Sequence, residues 1–275
     1  MLLTGLLYIP DLFAAAGNVG LLTLTEKPLR LIRGATLYQA PVGTGVQADD
    51  FIESDQSNVQ IDELAGIRVA LGPHTRIYLE HSGKSTRINL LNGWLKLQPI
   101  PGGKTENLTV KTATLSLDVS RSASVIHADG TRTEVFIEDG TQTLTERDAG
   151  GHEGRNITLK QEEYAQRKAD EPLSAAGRPG SDFIGAMPAE FFDPMPVILN
   201  KNLPALPLAK VREVNFDDVS PLLLGTVRLD MRSLATRLSP RLSDPAFRQA
   251  ITQRFGGTLE WETELYHFER KSGRH

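Results

Sequence analysis

The 275-residue chain has no cysteine. That one absence removes disulfides, thiolate nucleophiles, iron–sulfur clusters, cysteine-ligated zinc and a lipidated N-terminal cysteine. An excess of positive charge is missing as well: 30 Lys and Arg face 34 Asp and Glu, for a formal charge of −4. With a pI near 5.9, the electrostatic footprint of a general nucleic-acid binder is absent, and no nucleic-acid partner is expected. No apolar run reaches the roughly 20 residues a bilayer requires, so no membrane span is expected either. Catalytic signatures are also lacking. There is no G-x-S-x-G elbow, and Gly43-x-Gly45 lacks the third glycine and the amphipathic helix of a phosphate loop. What is present is 40% hydrophobic and 23% charged residues, enough for one substantial core and a smaller second one.

Residues 1–16, Met1 to Ala16, are a short apolar stretch ending in small residues with an A-x-A-like pattern. They read as a signal segment for export, although a basic n-region is missing and Asp11 interrupts the run. From Leu21 to about Leu159 the chain is a succession of short apolar/polar alternations, plain in Ile67-Arg68-Val69-Ala70-Leu71 and Leu115-Ser116-Leu117-Asp118-Val119. A period of two places alternate side chains on one face, so this is a mainly β body with one buried surface per strand. Gly72-Pro73, Ser82-Gly83-Lys84, Asn92-Gly93, Asp129-Gly130 and Asp139-Gly140 divide the strands, with Asn92-Gly93 read as a hairpin turn. Such turn spacing suits a sandwich, a barrel or a solenoid, and periodicity does not choose among them.

Composition shifts to small and charged residues after Ala165, which reads as a solvated linker over 166–182. Beyond it Pro188, Pro194, Pro196, Pro204 and Pro207 exclude a long helix or central strand. An extended strap is expected, packed on the β body by Phe183, Phe191, Phe192 and Leu206. The end of the chain reads as a small helical cap. Asn215 or Asp217 can cap a short helix over Val219 to Leu224, and Asp244-Pro245 starts a second that ends at Gly256-Gly257. Phe247, Ile251 and Phe255 recur at four-residue spacing on its apolar side.

No residue is assigned to catalysis, to a cofactor or to a metal. The six histidines, His74, His81, His127, His152, His267 and His275, are scattered without ligand spacing and read as surface or turn residues. Asp49, Asp50, Glu53 and Asp55 cluster, but without the D-x-[DN]-x-[DN]-G loop of a calcium site, so a solvated turn is the simpler reading. Glu134 and Glu138 share a strand face, which looks like a wet outer surface rather than a pair of glycosidase acids. Trp94 and Tyr78 are the candidates for a carbohydrate-binding face, with core packing the simpler fate of Trp94. Arg228, Arg232, Arg237, Arg241 and Arg248 are the one basic concentration, suited to snorkelling or to an anionic partner surface.

Two stretches, Gly66 to Thr75 continuing through Ile77-Tyr78-Leu79 and Ile88 to Leu95, carry a family resemblance. With Leu108 to Ala113, Val135 to Gly140 and Ile157 to Gln161, their order and spacing resemble the FecR-type domain of bacterial envelope proteins. Phe183 to Pro188, Phe192 to Pro196 and Asp244 to Arg248 before Glu260-Trp261 resemble the tail that follows the domain in some members. The resemblance implies a periplasmic, non-enzymatic domain with a FecR-like β-solenoid, the alternative being a β-sandwich. It further implies binding or scaffolding, with an envelope protein or peptidoglycan as partner, contacted through exposed β edges or the arginine-rich face of the cap. A sigma-regulator accessory is the second reading and a glycan-acting hydrolase the third. The expected organisation is a signal segment at 1–16, the β domain at 17–165, the linker at 166–182, and the strap with its helical C-terminal region at 183–275.

Overall fold

A computed structural model describes residues 17–103, 107–119, 122–198 and 207–273. The expected signal segment at 1–16 and Leu206 of the strap lie outside the described residues. The strands of the first half are β1 (Asn18–Thr25), β2 (Leu29–Arg33), β3 (Thr36–Ala40), β4 (Gly45–Gln47), β5 (Phe51–Glu53), β6 (Val59–Leu64), β7 (Ile67–Leu71), β8 (Arg76–Ser82) and β9 (Ser85–Pro99). They are followed by β10 (Asn107–Lys111), β11 (Leu115–Val119), β12 (Ala123–Ala128), β13 (Arg132–Asp139), β14 (Thr141–Arg147), β15 (Glu153–Lys160), β16 (Tyr164–Lys168), β17 (Ser174–Ala176) and β18 (Ala209–Glu213). Helices are α1 (Ser181–Ala186), α2 (Phe216–Leu223), α3 (Met231–Leu238), α4 (Pro245–Phe255) and α5 (Leu259–Lys271).

Hydrogen bonding arranges these strands as one large sheet curled into two layers. The first runs β4-β1-β6-β7-β9-β12-β13-β16-β17. The second runs β18-β3-β2-β5-β8-β9-β10-β11-β14-β15, and only β9 with β10 is parallel. Strand β9 belongs to both. Its Ser85–Asn92 portion pairs with β8, and its Gly93–Pro99 portion pairs with β12 and β7. Asn92-Gly93 is therefore not a hairpin turn but the corner at which one strand changes layer. Gly93 sits at φ +100°, and a Cβ there would stand 2.4 Å from Thr75 Oγ1, so the corner requires glycine. The ladders do not show the stacked rungs of a solenoid.

Three apolar clusters follow from this geometry. Between the layers, Ile61, Val69, Leu95 and Leu97 of the first meet Leu31, Ile52, Ile77, Ile88 and Val110 of the second. On the outer face of the second layer, Ile32, Phe51, Tyr78 and Leu91 receive Val219, Leu222, Leu234, Leu238, Phe247, Ile251 and Trp261 of the helical cap. On the outer face of the first, Ala70, Trp94, Val125 and Tyr164 receive Phe183, Met187, Phe191 and Met195. Central strands are thus covered on both faces, and all five residues of β7 are buried. One buried surface per strand, the expectation from alternation, holds only where cap and strap do not reach.

The cap is built as its terminal residues dictate. Asn215 and Asp218 form a reciprocal capping box at the start of α2, and Asp244 accepts from the Ala246 and Phe247 amides at the start of α4. The 166–182 stretch is more structured than a solvated linker, since it contains most of β16, the β17 that pairs with it, and the first two residues of α1. In the strap Phe183 and Phe191 are buried as expected, whereas Phe192 points outward and is 57% exposed. The 3₁₀ turn at Ala189–Phe191 explains the difference, because it rotates adjacent side chains apart and commits only Phe191 to the sheet.

Candidate functional site

A cleft of about 970 Å³ opens where α2 lies beside the ends of β2, β5 and β8. Its wall is a ladder of alternating charge. The Glu53 carboxylate accepts from Arg76 Nε at 2.7 Å and from Arg30 Nε. Arg30 Nη2 then donates to Asp218 Oδ1 at 2.6 Å, and Arg212 donates to the same carboxylate through both Nη atoms. Lys27, Gln39, Asp55, His74, Asn92 and Asp217 are among the other polar residues that line it. His74 lies in a turn at φ +54°, where its carbonyl accepts from Asn92 Nδ2 at 2.8 Å.

Burial alone would push the Asp218 carboxyl upward. The Arg212 and Arg30 guanidinium groups and the Asn215 amide outweigh it and bring the pKa to about 2. Asp218 is thus ionised through the ordinary pH range. Neither it nor Glu53 has a free lone-pair face comparable with that of a general acid, because each bridges two arginines. The arrangement suits recognition of a polar, charged partner more than proton transfer.

The acids and aromatics singled out from the sequence are dispersed rather than gathered. Asp50 is not in a solvated turn; it is fully buried and holds Arg33 through bonds of 2.8 and 2.7 Å. Asp49 accepts from the Tyr78 hydroxyl at 2.9 Å and from Arg237 Nη2 at 2.8 Å. Asp49, Asp50 and Glu53 each have their own partners because β5 sends Glu53 outward while the preceding turn sends Asp50 inward. Among the described residues no group of three or more His, Asp or Glu is placed to hold a metal ion.

Glu134 and Glu138 do not form a wet surface either, since the strap lies over them. Glu134 is buried and accepts from Tyr164 Oη at 2.7 Å, with His127 Nδ1 at 3.0 Å. Burial raises its pKa, but these two bonds and nearby Arg132 hold it below the usual carboxylate value. His127 is likewise no surface histidine, for its ring stacks on Trp94 with centroids 4.3 Å apart. Glu138 is bound by Lys96 Nζ at 2.8 Å. That ammonium is itself buried and donates to the strap carbonyls of Phe191 at 2.6 Å and Asp193 at 3.0 Å. Trp94 is covered by the strap and Tyr78 by the cap, so neither presents a ring for a sugar.

The arginines of the cap do not share one face. Arg237 lies over the Tyr78 ring and binds Asp49, Arg241 donates to the Val214 carbonyl and to Asp244, and Arg248 reaches the Leu242 carbonyl and the Phe268 ring. Arg228 donates to Ala149 O. Arg237 and Arg241 are thus paired with acids, which takes two of the five charges from the expected anionic-partner surface. The β edges remain open at β4 and β17 in the first layer and at β15 and β18 in the second. Among the described residues no helix is long and apolar enough to cross a membrane.

The cleft residues carry no spacing signal. Arg30 and Asp218 are 188 positions apart, and only the capping box over Asn215 marks Asp218 in advance as an acid with a fixed position.

No family model matches the chain, and no curated protein matches it. Among solved structures it is similar to two crystal structures, at 2.50 and 1.65 Å resolution, of a provisionally assigned anti-sigma factor from Parabacteroides distasonis ATCC 8503. In each case the identity is 12%, the TM-score is 0.39, and the match covers 46% of this chain and 59% of that one. The matched region thus spans rather more than half the length of that protein. A likeness of this extent fixes neither fold nor role.

Proposed function

We propose that the protein is a non-enzymatic binding module of the bacterial envelope, a sandwich-like β body that engages a protein partner through the cleft beside α2. One observation carries the reading: the two carboxylates of the cleft ladder are each shared between arginines, which gives a rigid charge pattern and leaves neither of them poised to transfer a proton. A protein partner is favoured over a cell-wall glycan because both candidate ring platforms, Trp94 and Tyr78, are covered. The periplasm is the compartment that the FecR-type resemblance implies, and the absence of cysteine sets no redox demand on it.

The test uses the whole chain as bait in envelope extracts, beside a Lys27→Glu/Asp217→Lys variant that reverses two lining charges outside the ladder. A defined protein retained by the wild type and lost from the variant is the expected result. If that protein is a TonB-dependent receptor, the sigma-regulator reading becomes the more specific one. Sedimentation with purified sacculi, equal in both proteins, would replace the proposal with wall attachment. Turnover of a glycosidase or esterase substrate, abolished by a single acid or serine substitution, would replace it with a hydrolase.

A further inference from the structure

Away from the cleft, three cations stand close together on the second layer: Arg87 on β9, Lys111 on the adjacent β10, and Arg147 at the end of β14, which β11 separates from β10. None of them lines the cleft. Arg87 pairs with Thr109 in the ladder, two residues before Lys111, and Lys111 lies in one row with Ser116 of β11 and Thr145 of β14. Ile88, Val110 and Leu144 take the inner side of these strands, so alternation sends Arg87 and Lys111 outward. Arg147 lies within electrostatic reach of both, since each of the three repels another of the set.

The partners they lack make this cluster unusual. Arg147 is only 5% exposed, yet among the described residues it has no ion pair, its Nε has no hydrogen-bond acceptor, and its one side-chain bond is a long 3.4 Å contact with Thr112 O. A guanidinium carries five donors, and burying it without paired acceptors is costly. Lys111, half-buried, likewise has no ion pair or hydrogen bond among the described residues. Arg87 gives Nη1 to Glu80 at 2.6 Å but keeps a buried Nε without a partner. Glu153 lies opposite Arg147 in the ladder without reaching ion-pair distance, and the Asp148 carboxylate is engaged by His152 through bonds of 2.9 and 3.1 Å.

The turn that ends at Gly151 packs against one side of the cluster. Gly151 has φ +85°, and a Cβ there would lie 3.2 Å from Arg147 Nη2 and 3.3 Å from Arg228 Cγ. Arg228 in turn fixes this turn through Ala149 O at 3.0 Å.

We propose that Arg87, Lys111 and Arg147 form a binding site for a phosphate group. Three cations face two carboxylates, Glu80 and Glu153, so the cluster keeps an excess of positive charge that an anionic phosphate group would answer. The unused guanidinium donors of Arg147 and the Arg87 Nε are the groups that hold tetrahedral oxyanions. The same chemistry is offered by a free phosphate and by a phospholipid headgroup.

Thermal unfolding of the full chain is followed while sodium phosphate is titrated against sodium chloride at matched ionic strength. Wild type is expected to gain Tm with phosphate and not with chloride, as for any ligand of the folded state. Lys111→Met should weaken the phosphate affinity by about tenfold or more. Arg147→Met should abolish the response and leave the phosphate-free Tm no lower than that of wild type, because an apolar chain replaces an unanswered charge. A purely structural arginine would lower it. Should that variant fail to fold, Lys111→Met and Arg87→Met carry the test. Flotation with phosphatidylglycerol/phosphatidylcholine vesicles, lost in Lys111→Met, would identify the headgroup as the source. A response to inorganic phosphate without flotation would identify a free or small-molecule phosphate. Equal responses to phosphate and chloride, or a phosphate response unchanged in Lys111→Met, would overturn the site.

Discussion

Replacing Asp218 by Asn isolates the charge that joins the cap to the β body. The side chain is 6% exposed and carries Arg30, Arg212 and the Asn215 amide. Asn keeps an oxygen for the Asn215 amide but leaves Arg212 without its ion pair and Arg30 with Glu53 alone. The Asp218 pKa of about 2, against a model-peptide carboxylate near 3.8, corresponds to roughly 2 kcal/mol of charge stabilisation at about 1.4 kcal/mol per unit. The sign follows from the depressed folded-state value: this stability is complete above the unfolded carboxylate pKa and disappears as the pH falls from about 4 to about 2. Asp218→Asn should therefore cost roughly 2–3 kcal/mol at pH 6 and about a third of that at pH 2.5. Urea unfolding in a Trp94→Phe background, read by the fluorescence of Trp261 in the cap, measures both values. Asp129, Glu213 and Asp244 also have depressed values, but they titrate in both proteins and cancel in the difference. A penalty of the same size at both pH values would refute the linkage.

Lys96→Met removes the ammonium that holds two strap carbonyls and Glu138. A loss of roughly 2–4 kcal/mol is expected from the carbonyls left unsatisfied, with faster amide exchange at 183–196 and little change in the cap. Gly93→Ala places a Cβ against Thr75 at a positive φ and should destabilise the β body by about 3 kcal/mol or more, visible as a lowered urea midpoint. Trp261→Ala empties the centre of the cap cluster, where the ring is fully buried. A cost of about 3–5 kcal/mol is expected, with exchange protection lost in α3 to α5 before the strands.

Local patterns were read reliably where one interaction range decides them. Alternation in Ile67 to Leu71 and Leu115 to Val119 marked true strands, and Asp244-Pro245 marked the start of α4 because a cap is satisfied within three residues. Asn92-Gly93 misled because the same dipeptide serves a hairpin or a corner, and the partner strands β8, β12 and β7 choose between them. Glu134, Asp50 and the cap arginines misled for a related reason. A charged residue reads as exposed until a distant segment supplies both its cover and its counter-charge.

By itself the sequence determined that the chain is mainly β with a helical end, where most turns and caps fall, and that cysteine chemistry is excluded. Those properties depend on backbone preference and on neighbours a few residues away. Only the tertiary structure decided that both outer faces are covered, that Arg30 meets Asp218, and that Arg87, Lys111 and Arg147 stand together. Such meetings depend on which strands pair across the curl of the sheet, and strand pairing is set by the fit of whole surfaces that no short window of sequence contains.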